Sequence, residues 1–249
     1  MRTAFASALI LVSLATTAPA LAATPAYVAS ALADSARPKT DVAADASRDP
    51  ADTLAFAGVK PGMSVVELFP GGGYFTRPIS DIVGAKGKVI AVENGGWKGA
   101  AEADQKMIAA LPVKNVQLQV KTFGQMDLPA GGADLFWITQ NYHDLKIAEY
   151  GSVDMAAFNR AVFAALKPGG TYFILDHQAN PGITLEQIAK LHRVEKDTVI
   201  REVTAAGFKL VDEGKFLNRP GDDHTKTIFD KEIQGKTDQY ALKFIKPKG

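Results

Sequence analysis

The sequence predicts an α/β fold: a mostly parallel sheet with helices on both faces and an antiparallel strand pair at its C-terminal end. Three observations carry this expectation. From residue 64 onward, short apolar runs alternate with segments of helical spacing, the pattern of parallel strands joined by right-handed crossovers. Three consecutive glycines, Gly71, Gly72 and Gly73, stand between the first apolar run and the next helical segment. The last two apolar runs have no helical pattern between them, so they pair as an antiparallel hairpin at one edge.

The bulk numbers agree. The chain has 249 residues, 47% of them apolar, enough for one large domain or two small ones with a sizeable core. Its 28 basic residues balance 27 acidic ones, so charge gives no reason to expect nucleic acid or an anionic membrane as a partner. It has no cysteine, which excludes disulfides and thiolate chemistry.

The elements follow in chain order. Arg2, an apolar stretch from Ala8 to Ala15 and the small-x-small sequence Ala20-Leu21-Ala22 read as a secretory signal peptide over 1–22, cut after Ala22. In a bacterium the mature protein would then be periplasmic, with no stable membrane anchor, because no later run is long and apolar enough to span. Residues 23–48, rich in Ala, Asp, Ser and Pro, read as a loosely held N-terminal arm with a short helix near Tyr27 to Ala33. The main domain is 49–249. Asp49 as N-cap, Pro50 at the first helical position and Gly58 as stop predict a helix over Pro50 to Ala57.

Strands are predicted at Ser64 to Leu68, Lys88 to Glu93, Val116 to Lys121, Ala133 to Gln140, Thr171 to Asp176, Phe208 to Leu217 and Asp238 to Pro247. Helices are predicted at Tyr74 to Val83, Ala100 to Leu111, Ser152 to Leu166, where Met155, Phe158, Val162 and Leu166 share one face, and from Glu195 to a stop at Gly207. Lys167-Pro168-Gly169-Gly170 reads as a tight turn. Asn218 to Thr237 reads as a long loop, which in a compact domain is usually functional.

In such a sheet ligands bind at the carboxyl ends of the strands, where strand order reverses. Glu67 ends the first strand there. The glycines after it allow a tight turn and a close approach of backbone to ligand, and the helix that follows turns its positive end to the same spot. Glu93 ends the second strand, roughly 20 residues on, where a carboxylate receives the two hydroxyls of a ribose. The ligand class is a nucleoside. Thr76 stands where a dinucleotide fingerprint needs a small residue to pack helix on strand, which counts against a nicotinamide-dependent oxidoreductase.

"VVELFPGGGYFT", "KVIAVE", "ADLFWITQNYHD", "LKPGGTYFILD" and "VTAAGFKLV", followed by a closing strand pair, resemble a class I S-adenosylmethionine-dependent methyltransferase with its Rossmann-like sheet. The similarity covers roughly Asp49 to Pro247. "RDPADTLAFAGVKPGM", "PGGGY", "YHD" and "DDHTK" look closest to a group of exported bacterial proteins described as predicted methyltransferases. The resemblance implies that S-adenosylmethionine is the cofactor. Glu67 would hold its amino group, Gly71, Gly72 and Gly73 would pass beneath its methionine part, and Glu93 would bind its ribose. Asn141 is assigned with them, and a residue between Thr122 and Asp127 would face the adenine. Phe69 replaces the first glycine of the family pattern, with Pro70 after it, and narrows the pocket.

On the acceptor side, Tyr142, His143, Asp144 and His177 follow the fourth and fifth strands and form the candidate catalytic set, with an imidazole as base. Asp176, His177, Asp222, Asp223 and His224 are an alternative cluster for a metal; without a tight ligand motif, no metal is assigned. The expected function is methyl transfer to a small molecule or envelope component. The alternative is an exported binding protein that kept the fold without the activity.

Overall fold

The computed structural model describes residues 24–122, 128, 131–151 and 153–248. Its strands are β1 (Ser64–Leu68), β2 (Lys88–Asn94), β3 (Val116–Lys121), β4 (Ala133–Thr139), β5 (Leu166–His177), β6 (Lys209–Gly214) and β7 (Gln239–Ile245). Its α-helices are α1 (Ala26–Leu32), α2 (Lys39–Arg48), α3 (Pro50–Ala57), α4 (Thr76–Val83), α5 (Ala100–Ala110), α6 (Met155–Ala165), α7 (Leu185–Leu191) and α8 (Lys196–Ala205). The strands form a seven-stranded sheet in the order β3-β2-β1-β4-β5-β7-β6. β3, β2, β1, β4 and β5 run parallel, and β7 lies antiparallel to both β5 and β6. The order reverses between β1 and β4, so the ligand crevice belongs at their carboxyl ends.

Side chains alternate across the buried central strands. Val66, Leu68, Phe136, Ile138, Tyr172 and Ile174 join one core with Phe158, Val162, Val199 and Val203 of α6 and α8. Val65, Leu135, Trp137, Phe173 and Leu175 join the other with residues of α1, α3 and α4. Both faces of the sheet are therefore covered, as a parallel sheet requires.

Local chemistry sets the helix ends. Asp49 accepts from Asp52 N–H at 3.4 Å to start α3, and Gly58 ends it at φ 81°. Asp154 takes the Ala156 and Ala157 N–H groups at 2.9 and 3.1 Å, so α6 begins at Met155, three residues later than the sequence predicts. Lys167-Pro168-Gly169-Gly170 is not a tight turn between elements. It lies inside β5, where the register against β4 shifts between Ala133 and Leu135. A side chain at Gly170 would meet the Lys167 carbonyl at 2.9 Å, so the bulge needs glycine there.

Two helices were not predicted. α2 buries none of its residues and so lacks an apolar stripe to read. Ion pairs hold it instead: Arg37 to Asp45 at 2.7 Å and Arg77 to Asp41 at 2.6 Å. With Val28 and Ala31 of α1 buried in the second core, residues 24–48 are packed on the domain and are not a loosely held arm. α7 carries a capping box between Thr184 and Gln187, a signal the sequence does display.

Candidate functional site

β1 delivers Glu67 and β2 delivers Glu93 to the crevice, both buried. Between them Phe69, Gly71, Gly72 and Gly73 all take positive φ, at 54°, 55°, 81° and 87°. Glycine tolerates this; a phenylalanine in the left-handed region stores strain of about 1–3 kcal/mol, a cost commonly met at functional sites. At Gly73 a side chain is also sterically barred, because a Cβ would lie 2.6 Å from Met107 Sδ on α5. The same helix brings in Asp104, whose Oδ1 accepts from Gly72 N–H at 3.3 Å.

Three buried acids thus face one another: Glu67, Glu93 and Asp104. Burial pushes Glu67 up to about 8; the charge of Asp104 adds to this, while the Thr76 hydroxyl and Arg77 hold it back. Burial likewise lifts Glu93 to about 8, aided by Asp104 and Glu67 and opposed by the Asn94 N–H, which donates to Glu93 Oε1 at 2.6 Å. Glu67 Oε2, Asp104 Oδ2 and Thr76 Oγ1 are buried without a hydrogen-bond partner of good geometry. Unpaired buried acceptors cost free energy. A ligand carrying an ammonium group and a pair of hydroxyls supplies the donors they lack, so the residues fit an aminoacyl nucleoside.

A cover lies over this site. Tyr74, directly after the glycines, donates to Asp45 Oδ1 at 2.6 Å and lies 4.5 Å beneath the Arg48 guanidinium. Burial lowers the pKa of Arg48, and among the described residues no carboxylate pairs with it. The Phe69 ring is buried against Trp97, centroids 4.8 Å apart, and Trp97 meets Tyr150 edge-on at 5.6 Å.

The histidines gather beyond β4 and β5. His143 N–H donates to Asp176 Oδ2 at 2.9 Å, and its Nδ1 lies 2.7 Å from Asp176 Oδ1. Burial opposes charge on this ring, but the charge of Asp176 and the hydrogen bonds of Asp144 and Asp176 prevail and raise it to about 10. Without another cation nearby, His143 is an imidazolium at neutral pH and has no lone pair to act as a base. Burial raises Asp144, yet hydrogen bonds from His143 and His192 outweigh it and hold the carboxyl below the usual range. His177 sits 2.8 Å from Thr237 Oγ1; burial, then the charges of His143 and Arg193, keep it well below an ordinary histidine and so neutral. Tyr142 is fully buried in the core: its hydroxyl donates to Glu202 at 2.9 Å and accepts from Asn159 at 2.9 Å, away from any surface a substrate reaches. Asn141 donates to Asp144 Oδ2 at 2.7 Å and thus serves the histidine side.

The alternative metal cluster does not assemble. Asp222 pairs with Arg193 at 2.9 Å, His224 with Asp238 at 3.0 Å, and Asp176 with His143. Phe123 to Asp127, part of the stretch assigned to the adenine, lies outside the described residues. Sequence reasoning missed Asp104 as a site residue, and it weighed Arg48 as a lid and His192 as a pocket flank but preferred a solvated salt bridge and a plain helix surface for them. Asp104 left a trace, an acid three residues before Met107 on a helix face that must pack; the helix α2 that positions Arg48 has no buried residue to mark it.

Comparison with known proteins agrees with this fold. A methyltransferase structure from Aquifex aeolicus, described as S-adenosylmethionine dependent, superposes with a TM-score of 0.61 at 19% identity, covering 84% of this chain and 95% of that one. One from Mesorhizobium loti gives 0.56 at 17%, covering 82% and 99%. The fold is that of class I S-adenosylmethionine-dependent methyltransferases. Geranyl diphosphate C-methyltransferase from Streptomyces coelicolor, solved with Mg2+, geranyl diphosphate and S-adenosyl-L-homocysteine, gives 0.58 at 14%, covering 87% of each chain. Among curated sequences, the ubiquinone/menaquinone biosynthesis C-methyltransferase UbiE of Shewanella woodyi is 30% identical over 128 residues, 50% of this chain and 46% of that protein. The match thus spans about half the length of that relative. No protein-family model matches the chain.

Proposed function

We propose that this protein is an S-adenosylmethionine-dependent methyltransferase acting on a small molecule or an envelope component. One observation carries the reading: Glu67 and Asp104, each buried with an oxygen short of a donor, lie with the buried Glu93 beside a positive-φ glycine loop at the switch point of this fold. Glu67 would receive the amino group of the cofactor, Glu93 the ribose hydroxyls, and Arg48 the carboxylate of the amino-acid end. At Gly72 the loop is open, with nothing within 4 Å of where a Cβ would stand, so its backbone can be approached closely. Bound there, the cofactor supplies a methyl group activated by a sulfonium, whose departure as a thioether needs no acid. The chain's own task is to hold the acceptor in line and keep water out.

A cavity of about 710 Å3 is the place for the acceptor. It is lined by residues after β4, among them Lys146 and Tyr150, and by Leu185, Lys190 and His192 from α7 and its end. Its mixed apolar and charged wall fits an organic molecule with a polar end.

Calorimetry of the purified protein with S-adenosylmethionine or S-adenosylhomocysteine tests the reading. Saturable binding is expected, weakened at least about tenfold by Glu93→Gln, which removes a charge-assisted pair. No heat and no thermal shift at millimolar ligand would refute it. We place the mature protein in the periplasm on the strength of the sequence of residues 1–22, which lie outside the described residues.

A further inference from the structure

Three polar atoms converge beside the 710 Å3 cavity, one of them on His192, which lines it, and two on the buried His143 and Asp144. His143 Nε2 and His192 Nδ1 each lie 3.3 Å from the same oxygen, Asp144 Oδ1. All three atoms fall within 4.8 Å of one another. A tetrahedral ion bound by imidazole and carboxylate at about 2.0–2.1 Å keeps its ligand atoms about 3.3 Å apart. Two edges of the trio already have that length.

The surroundings orient each ligand as a metal site requires. His143 Nδ1 is held 2.7 Å from Asp176 Oδ1, the carboxylate–histidine support that turns the other nitrogen toward a metal. Asp144 Oδ2 is taken up by the Asn141 amide at 2.7 Å, which leaves Oδ1 for the shared position. His192 sits at the end of α7 with φ 54° and ψ 50°. Its left-handed backbone is a local cost for a side chain with a Cβ, and its Nδ1 faces Asp144. His192 also lines the cavity, whereas His143 and Asp144 are buried. The entry path is therefore on the His192 side.

We propose that His143, Asp144 and His192 form a three-ligand site for a divalent transition ion of the zinc class, its fourth position open toward the cavity. Two imidazoles and one carboxylate, with a fourth place left for water or substrate, is the donor set of an open zinc site. The site does not depend on the cofactor reading: it lies on different elements and is tested without S-adenosylmethionine.

The test uses the full chain, purified without a tag, stripped with chelator and titrated with zinc or cobalt. One equivalent of zinc should bind at submicromolar Kd, and cobalt should give the intense visible bands of a four-coordinate ion. His192→Asn should weaken zinc by at least about 100-fold, beyond the roughly 10–100-fold that loss of a supporting group costs. Asparagine accepts a left-handed backbone, so the metal-free melting temperature of this variant should hold or rise. X-ray absorption of the zinc-loaded parent should show two imidazoles. Substoichiometric zinc in the parent, unchanged affinity in His192→Asn, or a zinc shell without imidazole would each overturn the proposal.

Discussion

Glu67 shows what a single side chain contributes to this protein and what it costs. Its neutral form is favoured by burial, with a pKa near 8 against an ordinary 4.5. Between these two values the unfolded chain has lost its proton and the folded chain keeps it. Rising pH therefore destabilises the ligand-free protein across that window; the effect is absent below it and complete above about pH 8. Glu67→Gln should remove this penalty, stabilising the ligand-free protein at pH 8 by on the order of 2 kcal/mol. The slope of stability against pH should become shallower without vanishing, since Glu93 titrates in the same window. Denaturant melts at pH 5 and pH 8 measure it; an equal slope in parent and variant would show that Glu67 is already ionised. The same variant should bind S-adenosylmethionine less well, because the stabilising amide carries no charge for an ammonium group.

At the scale of elements, the glycine turn works only because its neighbours close over it. α5 packs so tightly that Gly73 admits no Cβ. α2, polar on all sides, is fastened by Arg37–Asp45 and Arg77–Asp41 and brings Arg48 above Tyr74. The loop after β2 lays Trp97 on Phe69, so an aromatic pair stands at the entrance of the crevice while Glu93 faces inward, buried beside Asp104. A ligand seated beside Glu93 is expected to move this ring pair. Trp97 and Trp137 are the only tryptophans in the chain, and Trp137 is sealed in the core. Saturation with S-adenosylhomocysteine should change the tryptophan emission of the parent and leave Trp97→Phe unchanged. An emission change that persists in the variant would place the movement elsewhere.

At the scale of the whole molecule, the sheet gathers two clusters of polar side chains at the same ends of its strands. The acids and glycines lie at the ends of β1 and β2, and the histidine cluster lies beyond β4 and β5, with Trp97 and Tyr150 in contact between them. A cofactor on one side and an acceptor on the other is the arrangement methyl transfer needs. If residues 1–22 direct export, fractionation of cells making the native chain should recover it in the periplasm with an N-terminus at Ala23. A cytoplasmic product that still begins at Met1 would refute export.

Local pattern alone determined the strands, most of the helices and the loop with its two acids. A buried strand is a run of apolar residues, a strand end is where that run stops, and a triple glycine has few other uses; each is a short-range signal. Phe69 was legible as an oddity, yet its resting place against Trp97 depends on a residue 28 positions away. Only the tertiary structure decided that Tyr142 is core, that His143 is held by Asp176 as a cation or a ligand, and that Arg48, Asp104 and His192 belong to the sites. Those outcomes depend on which groups share a low-dielectric space, and a partner's charge acts through distance in space, which the order of residues along the chain does not record.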